Sequence, residues 1–394
     1  VPAAVPARLL SGTDESAAFR RRPVSPVHGG RSAALPTFPW DTLAEVTARA
    51  KAHPDGIVDL SVGTPVDPVA PVIRAALAAA SSAPGYPTTA GTAQLRASAI
   101  AALDRRYGIT GVAESAVLPV IGTKELIAWL PTLLGLGGDD MVVVPELAYP
   151  TYEVGARLAG AVWVRSDAPD RLGGAPPALV YLNSPSNPTG AILRADELRA
   201  LVGWARQNRV LLVSDECYLG LGWDAEPRSV LHPQVCDGDH RGLLAVHSLS
   251  KTSSLAGYRA GFVAGDEAVV AELLAVRKHA GMMVPTPVQA AMVAALDDDA
   301  HEREQRDRYA RRREVLLPAM RAAGFRIDHS HGGLYLWATR GEACRRTVGW
   351  LAERGILVAP GEFYGPAGAE HVRVALTATD ERIAAAADRL QSAR

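Results

Sequence analysis

Leu243-Leu244-Ala245-Val246-His247-Ser248-Leu249-Ser250-Lys251 is an apolar run that ends in hydroxyls and a lysine. The run predicts a strand at 242–246, covered on both faces, because a half-exposed strand would alternate apolar with polar. Lys251 then stands at a strand end, between Ser248 and Ser250 on one side and Gly257-Tyr258-Arg259-Ala260-Gly261 on the other. A strand end aims a side chain into a cleft. Hydroxyls with an arginine make a place for a dianion, and a lysine amine forms reversible Schiff bases. A lone lysine at a strand end is more often a surface residue, so the rest of the chain has to supply the case.

The same pattern repeats upstream. Strands are predicted at 116–120, 141–145, 162–165, 178–182, 210–214 and 242–246, with a further one at 260–264. Helices are predicted between them at 124–134, 152–158 and 195–207. Short apolar strands alternating with helices give an α/β fold with a mostly parallel, seven-stranded sheet. Ligands of such sheets bind beyond the carboxyl ends of the strands.

Nearer the start, 57–60 reads as a strand ending at Gly63-Thr64-Pro65, and 71–80 and 95–107 read as helices. Asp41 reads as a helix N-cap. A Gly/Thr/Pro loop, 85–92, carries Tyr86. Past residue 281 a charged helix at 301–323 follows, with Arg311-Arg312-Arg313 on a solvated face. Strands at 334–338, 356–359 and 372–376 and a last helix at 380–391 complete a smaller α+β domain. The expected layout is a flexible tail (1–33), a segment joining the small domain (34–65), a large domain (66–280) and the small domain (281–394).

Bulk properties narrow the function. Basic and acidic residues number 41 and 42, a balance that offers no reason to expect nucleic acid or a membrane surface as partner. Hydrophobic residues make up 48% of the chain, enough for a sizeable core. The three cysteines, Cys217, Cys236 and Cys344, lack metal-type spacing, so neither a metal site nor a disulfide framework is expected, and a reducing, cytoplasmic compartment is.

Residues able to do chemistry cluster at the predicted strand ends. Gly122-Thr123-Lys124 joins a strand to a helix, whose free N–H groups favour an anion. Tyr149, after the next strand, fits either a platform for a flat ring or a boundary tyrosine. Asn183-Ser184-Pro185-Ser186-Asn187-Pro188-Thr189-Gly190 fixes a rigid loop that presents Asn187. Ser214-Asp215-Glu216-Cys217-Tyr218 puts carboxylates beside buried apolar residues, where an unpaired charge is costly. A protonated pyridine nitrogen would give Asp215 a partner; a helix cap is the alternative. Glu216 and Cys217 read as structural. Together these residues point to pyridoxal phosphate held by Lys251.

At this point the motifs Asn-Pro-Thr-Gly (187–190), Ser-Asp-Glu-x-Tyr (214–218), Ser-Leu-Ser-Lys (248–251) and Gly-Tyr-Arg-Ala-Gly (257–261), in that order, resemble those of the class I/II, fold type I, pyridoxal phosphate-dependent aminotransferases. The likeness runs from about residue 35 to the end. Phe-Pro-Trp-Asp-Thr-Leu (38–43), Ser-Val-Gly-Thr-Pro-Val-Asp-Pro (61–68) and Lys-His-Ala-Gly-Met-Met (278–283) are most similar to the actinobacterial succinyldiaminopimelate aminotransferases.

The resemblance implies roles. Lys251 carries the cofactor and shuttles the proton. Asp215 pairs with the ring nitrogen, while Tyr218 and Asn187 serve the phenolic oxygen and Tyr149 stacks. Thr123, the amide of Lys124, Ser248, Ser250 and Arg259 hold the phosphate, and Tyr86 reaches that of the neighbouring subunit in a homodimer. Arg373 and Gly63, with Asn187, hold the substrate α-carboxylate. The Lys124 side chain is left between phosphate, substrate and solvent, and His331 reads as structural or exposed. The implied reaction is amino transfer between glutamate and a keto acid, with N-succinyl-2-amino-6-oxopimelate and N-succinyl-LL-2,6-diaminopimelate as the pair. Alternatives are a broad amino-acid transaminase, a carbon–sulfur lyase, and the cofactor-binding effector domain of a regulator. The 33 preceding residues offer neither the length nor the apolar pattern of a helix-turn-helix module for the last of these.

Overall fold

A computed structural model describes residues 35–391; the expectations for 1–33 lie outside them. Residues from Pro36 on form one unit by their contacts. The first strand, β1 (Val58–Asp59), stands apart from the main sheet. The main sheet is built from β2 (Val117–Ile121), β3 (Met141–Val144), β4 (Val162–Arg165), β5 (Leu179–Asn183), β6 (Leu211–Asp215), β7 (Leu243–Ser248) and β8 (Ala260–Gly265). Its seven strands run in the order β2-β8-β7-β6-β5-β3-β4. Strand β8 is antiparallel to both neighbours and every other pair is parallel, as the α/β alternation requires.

Both faces of the sheet are covered, which is why its strands read as continuous apolar runs. Side chains alternate between the two sides along a strand. Leu212, Leu243 and Ala245 pack into one core, whereas Val213, Leu244 and Val246 pack into the other. Register aligns the strand ends: Asn183 pairs with Asp215, Asp215 with Val246, and Ser248 with Gly261. That alignment gathers the polar residues following each strand along one edge.

A second sheet lies in the C-terminal part. Strands β9 (Arg326–Asp328), β10 (Tyr335–Thr339), β12 (Ala359–Pro360) and β13 (His371–Ala375) form four antiparallel strands in the order β12-β13-β10-β9, and β11 (Ile356–Leu357) pairs in parallel with β1. Val58 and Leu60 therefore join the core of this region, together with Leu316, Leu336, Val374 and Ile383. The single strand expected at 356–359 is two, because the chain changes partner at Val358. The helix Thr286–Asp297 places Ala291, Met292, Ala295 and Leu296 in the large-sheet core, so the handover between the two cores falls near Asp297.

Two local expectations are corrected. Asp41 caps no helix: Pro39, whose ring presets the helical φ, opens a 3-10 turn at Pro39–Leu43 that runs into the helix Ala44–Lys51. Arg312 is not on a solvated face. It is 3% exposed, donates to both carboxylate oxygens of Asp67 at 2.6 and 2.8 Å, and donates to Asp380 at 2.6 Å. A guanidinium fork suits such two-sided pairing, and it ties the segment after Gly63 to the long helix Asp299–Ala322 and to the last helix, Asp380–Gln391.

Candidate active site

The gathered strand ends open onto a cavity of about 720 Å³, within the ~300–1,000 Å³ range of small-molecule sites. Gly63, Thr123, Lys124, Tyr149, Asn187, Asp215, Tyr218, Ser248, Ser250, Lys251, Arg259 and Arg373 all line it. Tyr86 does not; its side chain is 98% exposed.

Lys251 sits in the turn after β7, and its Nζ donates to the carbonyl oxygen of Gly63. Burial pushes its ammonium below the ordinary range, and the positive charges of Arg373 and Arg259 push the same way. Tyr309 holds the loop by donating to the Lys251 carbonyl at 3.0 Å. Both effects favour the neutral form, in which a lysine acts as nucleophile or base.

Asp215, at the end of β6, is buried, and Tyr152 donates to its Oδ2 at 2.8 Å. Cys217 N donates to Oδ1 at 3.2 Å; burial raises the carboxyl pKa against these hydrogen bonds, and among the described residues no cation pairs with it. Asn183 donates to the Asp215 carbonyl at 2.8 Å and accepts from the Asn187 amide at 2.6 Å, which locks the Asn187 loop to this strand end.

Arg373, on β13, is buried at 3% exposure. It donates to Asn187 Oδ1 and to the Ser61 carbonyl, both at 2.8 Å, and lies 4.0 Å over the ring of Tyr335. Its Nε has no partner among the described residues, so the guanidinium retains donor capacity. Because Arg373 occupies the oxygen of Asn187, that amide keeps its N–H₂ to donate elsewhere. Gly63 is required where it is: a Cβ there would stand 2.2 Å from the Tyr335 hydroxyl.

Across the cavity the helix Thr123–Leu133 presents its N-terminus. Gly122 before it has φ +76°, and a Cβ on it would lie 2.3 Å from Arg259 Nη2. Glycine therefore lets Arg259 settle over the free N–H groups, a basic cradle for an anion. Ser248 Oγ accepts from the Ser250 amide at 3.1 Å, and Cys217 Sγ donates to Thr123 Oγ1 at 3.4 Å.

These features fit pyridoxal phosphate. The buried Asp215 lacks the cation that a protonated ring nitrogen supplies. The cradle of Arg259 and the helix start matches the phosphate, and Tyr149 stands at the wall where a ring would lie, its hydroxyl pKa pushed up to about 12 by burial.

Residues 55–390 match the family description "Aminotransferase class I and II". The chain belongs to the class I and II aminotransferases. It is 75% identical over 380 residues to "Probable aminotransferase Rv1178" of Mycobacterium tuberculosis, covering 96% of this chain and 91% of that protein. It is 62% identical over 356 residues to the 4-dedimethylamino-4-oxo-anhydrotetracycline transaminase OxyQ of Streptomyces rimosus, covering 90% and 99%. The crystal structure of an aminotransferase from Neisseria meningitidis shares the fold with a TM-score of 0.84, at 29% identity over 93% of this chain and 100% of that one. The aminotransferase thus has the fold type I architecture expected, and it depends on pyridoxal phosphate. Among its described residues no helix is long and apolar enough to cross a membrane.

Sequence reasoning assigned no role to several residues of this aminotransferase's site. Tyr335, in the 331–335 stretch that resembles the family's glycine-containing strand near the substrate, lines the cavity, and its hydroxyl lies 3.1 Å from that of Tyr218. Tyr152 buttresses Asp215 from behind, and Phe38 and Trp40 form part of the wall. Tyr335 follows the Gly332-Gly333 pair on a strand, and Tyr152 is one helical turn past Tyr149. Both signals were visible, but their partners are distant in sequence. Cys217, read as structural, also lines the cavity. His331 is exposed, as expected.

Proposed function

We propose that this enzyme transfers an amino group between N-succinyl-LL-2,6-diaminopimelate and 2-oxoglutarate. One observation carries the site assignment: the Lys251 amine, bonded to the Gly63 carbonyl, shares a cavity with the open guanidinium of Arg373. A proton carrier and a carboxylate clamp therefore face the same small volume. Bound pyridoxal phosphate supplies an electron sink for charge developing at the substrate Cα.

The chain's own residues supply the rest. Arg373, with Gly63 and Asn187, orients the α-carboxylate through paired hydrogen bonds. Lys251, its pKa lowered by burial, would hold the cofactor and carry the proton of the substrate Cα. Asp215, fixed by Tyr152, would keep the ring nitrogen protonated. Tyr218 and the free amide of Asn187 would serve the phenolic oxygen, and Tyr149 the face of the ring. Thr123, the Lys124 amide, Ser248, Ser250 and Arg259 would hold the phosphate. A homodimer in which Tyr86 reaches the neighbour's phosphate, and a division into a large and a small domain, belong to the same proposal. The exposure of Tyr86 and the two separate cores support them.

The succinylated substrate is supported by the sequence likeness at 38–43, 61–68 and 278–283. A second reading, a bulky cyclic ketone as acceptor, is favoured by the identity to the tetracycline-pathway enzyme and by the aromatic wall of Phe38 and Trp40. A donor and acceptor screen decides. N-succinyl-LL-2,6-diaminopimelate should give the highest kcat/KM with 2-oxoglutarate, and Lys251→Ala should abolish turnover by at least ~1,000-fold, in line with loss of a group that acts at the reacting atoms. Pyruvate released from cystathionine with no keto acid present would point to a lyase instead. A Lys251→Ala variant working at the wild-type rate would sink the assignment of the site.

A further inference from the structure

We infer that the Lys124 side chain, with the aromatic wall of Phe38 and Trp40, binds a second carboxylate at the far end of the substrate. The proposed substrates are then amino acids with a distal acid on an extended chain. This rests on the transaminase reading and adds what that reading leaves open, namely which groups meet the end of the substrate remote from Arg373.

The cavity has two ends of different character. At its floor Arg373 is buried, with its guanidinium committed to Asn187 and Ser61 and one N–H open. At its mouth Lys124 extends its Nζ over the ring of Phe38, 5.7 Å from the centroid. Phe38 is 54% exposed and packs 5.6 Å from Trp40, which in turn lies 5.3 Å from Phe363. The indole N–H of Trp40 has no acceptor among the described residues.

Among the described residues Lys124 is a cation without an acid. Its ammonium is influenced by partial burial and then by the like charge of Arg259, both of which disfavour the charged form, and by no carboxylate. An arriving carboxylate would relieve that repulsion. The phosphate would be served by Thr123, Ser248, Arg259 and the amides of the helix start, whereas the Lys124 ammonium rests on the Phe38 side of the cavity. A methylene chain lying on the aromatic wall would bury apolar surface, and its terminal carboxylate would meet Lys124 at the rim.

The test needs no turnover. Heptanedioate and heptanoate differ by one carboxylate, and their binding to the purified holoenzyme is measured by calorimetry. Wild type should prefer heptanedioate by at least ~10-fold, about 1.4 kcal/mol. Lys124→Met should reduce that preference to ~2-fold or less, and Lys124→Arg should keep most of it. Equal binding of the two acids by wild type overturns the inference. So does a Lys124→Met protein that keeps the preference but loses cofactor absorbance, since Lys124 would then serve the phosphate. The spectral change of the cofactor with glutamate, the proposed amino donor, tests the transaminase reading separately: its absence overturns that reading, whereas lost discrimination overturns this one.

Discussion

Glu216 and His247 show how far one side chain can depart from its ordinary chemistry a few ångströms from the cofactor site. Both are buried, and Glu216 Oε2 and His247 Nε2 lie 3.7 Å apart with no hydrogen-bond partner on either atom among the described residues. They border a cavity of about 30 Å³, room for one water molecule between them. Burial raises the Glu216 pKa to about 7 from an ordinary 4.5, and burial lowers that of His247 to about 3. For Glu216 the folded state therefore holds a proton that the unfolded state has lost. Its favourable contribution is present below pH 4.5 and disappears as pH rises through 7. Replacing Glu216 by Gln removes the ionisation and keeps an oxygen for the Val230 amide, which Glu216 Oε1 now accepts at 2.9 Å. Calorimetric unfolding should show Glu216→Gln gaining about 1–3 kcal/mol over wild type near pH 8.5 and little near pH 5. A gain of equal size at both pH values would show that ionisation is not the cause. None of this was legible in the sequence, where Glu216 is one more residue after a strand and His247 one more inside it. Their meeting depends on the lateral pairing of β6 with β7.

At the scale of the element, the start of the helix Thr123–Leu133 combines three demands: a turn of positive φ, a row of free N–H groups, and space for a guanidinium. Gly122→Ala keeps the N–H groups but meets neither of the other two comfortably. The added methyl collides with Arg259, and the φ of +76° strains any residue with a Cβ. Arg259 can swing aside, so the helix should survive while the cradle opens. Titration of the cofactor by absorbance should show its Kd raised ~10-fold or more, about 1.4 kcal/mol, with far-ultraviolet dichroism unchanged. Unaltered affinity would mean that Arg259 does not bear on the phosphate. The sequence revealed this element well, since a strand, a glycine and a helix are local and their patterns need no distant partner. It also placed Lys251, Asp215 and Asn187 along one sheet edge through their position after strands, whereas Arg373, in the middle of β13, came from the family resemblance alone. It failed where the contact is long-range: Tyr335 against Gly63, Tyr152 against Asp215, and Arg312 against Asp67. A run of three arginines on a charged helix looks solvated until the partner acid, at the other end of the chain, is known.

At the scale of the molecule, the cavity is assembled from the whole length of the chain. Gly63 comes from the segment after β1, Lys251 from the main sheet, and Arg373 from the second sheet. Arg312 fastens the first of these to both later helices, and it lies over the ring of Tyr309, whose hydroxyl donates to the Lys251 carbonyl. Gln289 ties down the loop that bears Tyr86 in the same way. It accepts from the Thr92 amide at 3.0 Å, and it donates to the Thr88 and Val284 carbonyls at 3.4 and 2.9 Å.

That loop carries its tyrosine outward, 98% exposed. In the proposed dimer each cavity takes Lys251 from one chain and Tyr86 from the other, so two defects can complement each other. Co-expression of a Lys251→Ala chain with a Tyr86→Ala chain yields hybrids in which one cavity inherits both lesions and the other inherits neither. Their extract should outperform the sum of the two variants expressed alone, and the excess should vanish when both changes are placed in the same chain. Strictly additive activities would mean that each chain completes its own cavity, with Tyr86 free to change.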